Sequence, residues 1–476
     1  MSTKSTKGIW KVISASSMGT MIEWYDFYIF GSLAVVISTK FFPSDNPTAA
    51  FLSTLATFAA GFVVRPFGAL FFGRLGDLIG RKYTFMVTLL LMGGATFLIG
   101  CIPSYETIGF MAPLLVLILR LLQGLALGGE YGGAATYVAE HAPVGQRGYW
   151  TSWIQTTATV GLFISLMVIL ATRNILTPEQ FDEWGWRVPF WVSIIMVGVS
   201  YLIRKNMDES PVFAKAKSEG KTSTNPLKES FGNRYNLKFV LLALFGATMG
   251  QGVVWYTGQF YAMSFLKTVM AIDSSQVDTL LGIALILGTP FFIFFGWLSD
   301  KVGRKYIMMG GMLLAIVLYR PIYKQMYETT SVKNKTEIVA NTKVVAELKE
   351  NKKQTMDSIY TTNKEYADGT TLVEVKTVSL ENGTAKVVDG KPKIETKTTI
   401  KINSSDNWAL IFLVFVQVIF VTMVYGPIAA FLVEMFPVKI RYTSMSLPYH
   451  VGNGIFGGLL PAISTYFVDQ FLIGIF

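Results

Sequence analysis

The sequence predicts an all-α membrane protein built as two related helical bundles, with a small β insertion on its outer face. Three observations carry that expectation. Mean hydropathy is +0.44, and 51% of the 476 residues are hydrophobic. Those residues gather in runs of about 20, the length that spans ~30 Å of hydrocarbon as helix with every backbone group satisfied internally. A ten-residue motif occurs twice, and a polar stretch at 324–406 interrupts only the second half.

Eleven spans are expected, near 18–40, 51–72, 84–102, 110–131, 150–171, 187–204, 238–266, 278–298, 306–323, 407–432 and 443–467. Lysine and arginine in short loops set their orientation. One side holds Arg74, Arg81, Lys82 and Arg147, a basic stretch from Arg204 to Lys238, then Lys301, Arg304, Lys305, Lys439 and Arg441. The opposite short loops hold Lys40, Arg173, Arg187 and Lys267. The first side, with the amino terminus, is therefore expected in the cytoplasm. The formal charge of +10 belongs to these loops and not to a nucleic-acid face. No cleavable signal peptide is read, because Lys4, Lys7 and Lys11 lead straight into a full-length span. The single cysteine, Cys101, excludes an intrachain disulfide and reads as a small packing residue.

Internal repetition divides the chain. Gly73-Arg-Leu-Gly-Asp77-Leu-Ile-Gly80-Arg81-Lys82 closes span 2, and Gly296-Trp-Leu-Ser-Asp300-Lys-Val-Gly303-Arg304-Lys305 closes span 8. Both read G-x-L-x-D-x-x-G-R-K. Glu140-His-Ala-Pro143-Val-Gly-Gln-Arg147 and Glu434-Met-Phe-Pro437-Val-Lys-Ile-Arg441 likewise share E-x-x-P-V-x-x-R. Asp77 and Glu140 are 63 residues apart, Asp300 and Glu434 are 134 apart, and the excess of 71 sizes the insertion.

The expected domains are an N-terminal six-helix bundle (1–204), a cytoplasmic linker (205–237), a C-terminal bundle (238–323 and 407–476) and the outer insertion (324–406). Within the insertion, 336–350 reads as a helix. The turn dipeptides Asn382-Gly383 and Asp389-Gly390, with alternation from Ile394 to Ile402, read as a β-meander. Arg147 is followed by two spans within 57 residues, whereas 35 residues follow Arg441. The expectation is a twelfth span missing or truncated, or an eleven-span protein ending outside.

Further motifs complete a pattern. They are Glu23-Trp-Tyr-Asp-Phe27, Arg65-Pro66, Arg120-Leu-Leu-Gln-Gly124, Gly128-Gly-Glu130-Tyr131, Gly185-Trp-Arg-Val-Pro189-Phe and Asp208-Glu-Ser-Pro211-Val-Phe213. Tyr425-Gly-Pro427, Arg441-Tyr-Thr443, Gly452-Asn-Gly454 and Gly457-Gly458 follow in the second half. With these in order, the sequence resembles the major facilitator superfamily and, within it, the metabolite:proton symporters for proline and betaine, citrate, 2-oxoglutarate and shikimate. The likeness covers nearly the whole chain outside 324–406. It implies the major facilitator fold, two pseudo-symmetric bundles around a midplane site, in a bacterial inner membrane. It also implies a cytoplasmic gate, with Asp77, Arg81, Glu140 and Arg147 as one latch and Asp300, Arg304, Glu434 and Arg441 as its twin.

Charges inside spans are costly, roughly 2.5–3.5 kcal/mol at the bilayer centre, so they face the bundle interior and find partners. Asp26 and Glu23 are the proton-site candidates, and Arg120 and Arg65 the anion or pairing groups. Gln123 and Glu130 belong to the same set, with static ion pairing as the competing reading. Gln251, Trp255 and Gln259 are spaced by four and share a helix face with Tyr256 beside them, a stripe suited to a cavity wall. Tyr425 and Asn453 join that wall from later spans. Aromatic walls suit a quaternary ammonium and arginines suit carboxylates, so the solute's charge stays open.

No Walker loop, H-E-x-x-H, C-x-x-C or G-x-S-x-G occurs, and the chain is expected not to be an enzyme. The expected function is proton-coupled uptake of a small organic acid or zwitterion by alternating access. An uncoupled facilitator or sugar-porter-like carrier is the first alternative, and a transporter-fold sensor the second. The expected partners are a small-molecule solute and the bilayer, with the chain acting as a monomer, no metal, and only a proton as coupling ion.

Overall fold

The computed structural model describes residues 4–42, 47–350, 356–381, 384–385, 387–388, 391–392, 394–460 and 463–464. The chain opens with α1 (Lys4–Ser32) and α2 (Ala34–Phe41), bent by 67° at Leu33. Next come α3 (Pro47–Leu78), α4 (Arg81–Ile99), the single turn α5 (Tyr105–Ile108) and α6 (Met111–His141). Helices α7 (Arg147–Gln155) and α8 (Thr157–Ile175), the capped turn α9 (Pro178–Glu183) and α10 (Val188–Lys205) follow, and the linker carries α11 (Pro211–Ser218).

The next span is not uniform. Helices α12 (Arg234–Ala243), α13 (Met249–Tyr256) and α14 (Ala262–Ser264) alternate with π turns at Leu244–Thr248, Thr257–Tyr261 and Phe265–Val269. Then come α15 (Ser274–Val302) and α16 (Arg304–Thr330). The insertion supplies β1 (Lys343–Glu350), β2 (Met356–Glu365), β3 (Thr371–Glu381), β4 (Thr384–Ala385), β5 (Val387–Val388), β6 (Lys391–Pro392) and β7 (Ile394–Lys401). Last are α17 (Ser404–Tyr425), α18 (Ile428–Met435) and α19 (Arg441–Val451). The described part of each expected span is mainly helical, with breaks or ends at 33, 100–102, 110, 156, 426–427 and 458–459. Among those residues eight helical runs are long and apolar enough to cross a membrane, and the bent α1–α2 pair makes a ninth. Both copies of the duplicated motif turn on their last glycine, Gly80 at φ 134° and Gly303 at φ 107°, where a Cβ is disfavoured.

The chain forms two compact units. One holds the described residues up to Tyr256 with Gly288–Leu313 and Ile419–Leu460; the other holds Thr257–Leu287 and Leu314–Val418. In the first unit the core runs through Tyr25, Phe30, Phe41, Trp186 and Phe190, and Tyr25 donates to the Pro189 carbonyl at 2.6 Å. Helices α3 and α6 touch backbone to backbone. A Cβ on Gly124 would lie 2.1 Å from the Gly61 carbonyl oxygen, and one on Gly128 2.2 Å from that of Arg65. In lipid, where lipid tails compete for apolar contact, such close approach is what holds helices together. It also fixes Arg65 against the helix that carries Arg120.

The second unit contains the insertion. Its sheet has the antiparallel order β1-β2-β3-β7, with β4 on the end of β3, and β5 pairs β6. The expected strand after Ile394 is β7. The helix expected at 336–350 is instead a 3-10 turn (Val339–Asn341) followed by β1. The local residues, rich in Ala, Leu, Lys and Glu, favour helix, but eight registered pairs with β2 override that preference. The turn dipeptides at 382–383 and 389–390 lie outside the described residues.

The sheet is rooted on the loop before α15. Ile400 donates to the Ala271 carbonyl at 2.7 Å and accepts from Asp273 at 2.8 Å, and Gln276 exchanges two bonds with the backbone of Ile402. Beside it, the Lys335 ammonium is held between the carboxylates of Asp368 and Asp406 and donates to Thr370 Oγ1 at 2.9 Å. Asn403 donates to both carboxylates at 2.9 Å and caps α17 through Asp406 N at 2.8 Å. Burial works against ionised Asp368, but bonds from Lys335 and Thr370 outweigh it and hold its pKa at about 2.

A Lys335→Ala change leaves two carboxylates facing each other. It is expected to cost the insertion roughly 2 kcal/mol, the scale of a lost charge-assisted bond, read as faster proteolysis within 336–401. A depressed carboxylate stabilises above its unfolded pKa and loses that contribution as pH falls toward the folded value. The wild-type insertion should therefore loosen between about pH 4 and pH 2 through this group, and the variant should lack that step.

Candidate functional site

The first unit brings Asp26 from α1, Thr96 from α4, and Arg120 and Gln123 from α6 into one buried cluster. Arg120 Nη1 donates to Asp26 Oδ2 at 2.8 Å and to Gln123 Oε1 at 2.9 Å. Gln123 Nε2 donates to Asp26 Oδ1 at 2.9 Å and to Thr96 Oγ1 at 2.7 Å, and the threonine hydroxyl reaches Asp26 Oδ1 at 3.0 Å. The Arg120 guanidinium carbon lies 3.5 Å from the centre of the Phe30 ring. Asp26 is 2% exposed and Arg120 4%. Desolvating such a pair costs several kcal/mol per ion, which only full hydrogen bonding offsets. The sequence spacing supplies part of that bonding, on Arg120 Nη1 and both Asp26 oxygens, since Arg120 and Gln123 are three apart and share a face.

One turn back on α1, Glu23 faces Arg65 at 3.7 Å, and Arg65 lies over Phe62 at 4.2 Å. This pair is looser and less buried than the first. The two pairs line one cleft with Phe27, Phe62 and Gln123. The cleft leaves about 20 Å³ for the centre of a water-sized molecule, room for one or two waters. A proton reaches that space without rearrangement, whereas a solute has to widen it.

Aromatic side chains form a wall in the same unit. Trp24 packs on Trp255 with ring centres 5.1 Å apart, and Trp255 meets Tyr256 at 4.8 Å. Tyr131 stacks on Tyr449 at 3.7 Å with planes 5° apart, and the Tyr425 and Tyr449 hydroxyls bond at 2.7 Å. Gln155 donates to the Tyr131 hydroxyl at 2.8 Å. Gln251 and Asn453 exchange amide bonds of 3.2 and 3.1 Å.

Two expected site residues are placed elsewhere. Glu130 bonds Arg204 at 2.6 Å and Thr88 at 2.7 Å, with Arg204 also donating to the Phe85 and Ala15 carbonyls. Ten residues of helix carry Glu130 about 15 Å along α6 from Arg120, which separates it from the cleft. Gln259 lies in the second unit on the π turn Thr257–Tyr261, so the fourfold spacing from Gln251 does not continue to it. Thr96, Trp24 and Gln155 were not singled out in the sequence. A threonine in an apolar run ordinarily bonds its own helix, as Thr96 also does at the Met92 carbonyl.

At the basic-loop end, the duplicated motifs make two ion clusters within the first unit. Asp77 accepts from the backbone amides of Tyr442 and Thr443 at 3.3 and 2.8 Å, at the start of α19. Asp300 accepts from Gly148 and Tyr149 at 2.9 and 2.7 Å, at the start of α7. Each carboxylate thus caps a helix of the other half, where the dipole favours negative charge. The arginine that opens each capped helix travels with it. Arg441 therefore pairs with Glu140 at 2.8 Å, beside Arg81 at 3.6 Å, and Arg147 with Glu434 at 3.9 Å, beside Arg304 at 3.2 Å. Against the expected grouping, Arg147 and Arg441 are exchanged between the latches.

The linker adds to the first cluster. Glu209 accepts from Arg81 N at 3.1 Å and Lys82 N at 3.3 Å, the Ser210 hydroxyl donates to Glu140, and Phe213 lies 4.2 Å from the Arg81 guanidinium.

Charges held inside apolar helices around a cleft, with crossed latches at one end, define a secondary transporter and not an enzyme. The comparisons agree. Residues 11–229 match the family described as "Sugar (and other) transporter", and residues 134–326 match "MFS/sugar transport protein". The alpha-ketoglutarate permease of Escherichia coli (strain K12) is 33% identical over 330 residues, 69% of this chain and 74% of the permease. The citrate-proton symporter of Salmonella typhi is 28% identical over 467 residues, 98% of this chain and 88% of that one. The solved proton:xylose symporter XylE superposes with a TM-score of 0.64 over 98% of this chain and 91% of its own, at 16% identity, a likeness of fold alone. The chain belongs to the major facilitator superfamily, in its group of metabolite permeases.

Proposed function

We propose that the protein is a proton-coupled symporter that takes up a small organic acid or zwitterion by alternating access. We place it as a monomer in a bacterial inner membrane, with its amino terminus in the cytoplasm. One observation carries this reading: two acid–arginine pairs of unequal tightness line one narrow cleft.

Asp26 and Arg120 hold each other through hydrogen bonds on Arg120 Nη1 and both Asp26 oxygens, and this charged pair gives the cleft the charge balance that transport needs. Glu23 and Arg65 are loosely matched, so an incoming carboxylate can take Arg65. Glu23 then faces burial as an uncompensated charge, a state that proton uptake relieves. Solute and proton are thus bound together, and the site's net charge is conserved. The aromatic wall of Trp24, Trp255 and Tyr256 suits the ammonium end of a zwitterion. The relatives named for alpha-ketoglutarate and citrate support the carboxylate arm. For a zwitterion, a proton moving down ~150 mV releases about 3.5 kcal/mol, enough for a few hundredfold accumulation, whereas a monocarboxylate carried with one proton crosses without net charge and draws on the pH difference.

The test is uptake by vesicles holding the purified protein, screened with organic acids, proline, betaines and sugars. Accumulation above the external level should collapse with the proton gradient. Accumulation indifferent to the gradient would refute coupling, and preference for neutral sugars would refute the solute class.

A further inference from the structure

We infer that the insertion is a strap that holds the last stretch of the α12–α14 span, residues 257–269. Bonds from the free edge of β7 keep the turn after that stretch in a strained conformation, and their release lets its π turns unwind. The strap is a matter of conformation, independent of which solute the cleft takes.

Alternation along β7 builds the strap. In an antiparallel ladder every second residue turns its backbone groups away from the partner strand. Ile400 sits opposite Leu372 of β3, yet its N–H donates to the Ala271 carbonyl at 2.7 Å and its C=O accepts from Asp273 N at 2.8 Å. Two residues on, Ile402 N–H donates to Gln276 Oε1 at 3.0 Å, and its C=O accepts from Gln276 Nε2 at 2.8 Å. The loop before α15 thus covers the edge of the sheet as a short parallel partner, with Ile272 beside Ile400. Ile272, Leu372, Ile400 and Ile402 are all buried.

Strain marks the turn. Helices that end on a left-handed residue ordinarily place glycine there. This one places Ala271, at φ 53°, the only residue other than glycine with positive φ among those described. The turn is held from both sides. Met270 and Ile272 donate back to the Phe265 and Leu266 carbonyls at 3.0 Å each, while Ala271 and Asp273 are fixed on Ile400. Such a conformation persists only where its surroundings enforce it. The stretch it closes departs from the α ladder, with π turns at Thr257–Tyr261 and Phe265–Val269. Tyr323 of α16 pins its start, donating to the Thr257 carbonyl at 2.7 Å and packing on Tyr261 and Phe265. The strap pins its end.

Hydrogen–deuterium exchange of the full-length protein in detergent micelles, read by mass spectrometry, tests this. Gln276→Ala removes two bonds of the strap and should speed exchange about tenfold, both in 395–402 and in 257–273. Ala271→Gly relieves the turn and should slow exchange in the same two segments about threefold. Exchange in 410–418 of α17 should stay at the wild-type rate in both variants. Faster exchange confined to 395–402 in Gln276→Ala would show that the sheet only rests on the loop, and would overturn the inference. So would a rise that extends to 410–418, or unchanged or faster exchange in 257–273 of Ala271→Gly.

Discussion

Asp26→Asn should abolish gradient-driven accumulation and lower stability by about 3–5 kcal/mol, the cost of leaving a buried charge without its counter-ion. The amide keeps the shape of the carboxylate, so Gln123 and Thr96 retain an acceptor, and the loss falls on Arg120 alone. Combining Asp26→Asn with Arg120→Gln removes both charges. The double variant should recover most of the stability, read by denaturant titration in mixed micelles, but none of the accumulation. That split separates a pair needed for transport from one needed only for folding. Normal accumulation by Asp26→Asn would remove this pair from the mechanism.

The two latches should respond unequally. Glu140 is buried and holds Arg81, Arg441 and Ser210, whereas the Arg147 and Glu434 side chains are 30% and 34% exposed. Removing one member of a buried pair costs several kcal/mol, and an exposed pair is worth about 0.2–1 kcal/mol. Cys101 is the only cysteine, so a Cys101→Ser background carrying Ser446→Cys reports access behind α19 from the basic-loop side. Glu140→Gln should raise the maleimide labelling rate at least tenfold, since about 1.4 kcal/mol is a factor of ten. Glu434→Gln should change it less than about threefold. Equal effects would contradict the assignment of the stronger lock to the first cluster.

The pattern of charges and repeats made much of this readable from the residues. A charge inside an apolar run has to find a partner, so Asp26, Glu23, Arg65 and Arg120 stood out before any geometry was known. Their pairing did not, because the four allow more than one match, and helix rotation decides between them. The exchange of Arg147 and Arg441 was likewise hidden. Repetition groups residues by half, whereas each motif aspartate caps a helix of the opposite half. Glu130 carried the same signal as Asp26, and only its rise along α6 set it apart. Gln259 was lost to a π turn, which shifts the helical phase without any mark in residue type. In the insertion, alternation revealed β7, while β1 is a strand only through its neighbour.

Coupling requires Arg65 to leave Glu23 for a solute carboxylate while the acid takes up a proton. The most direct measurement is the pH outside lightly buffered vesicles when the solute that accumulates most strongly in the uptake screen is added. External pH should rise as solute enters through the wild type. With Glu23→Gln the rise should vanish, while exchange of labelled for unlabelled solute continues. Entry of solute through the wild type with no change of pH would show that Glu23 carries no proton across.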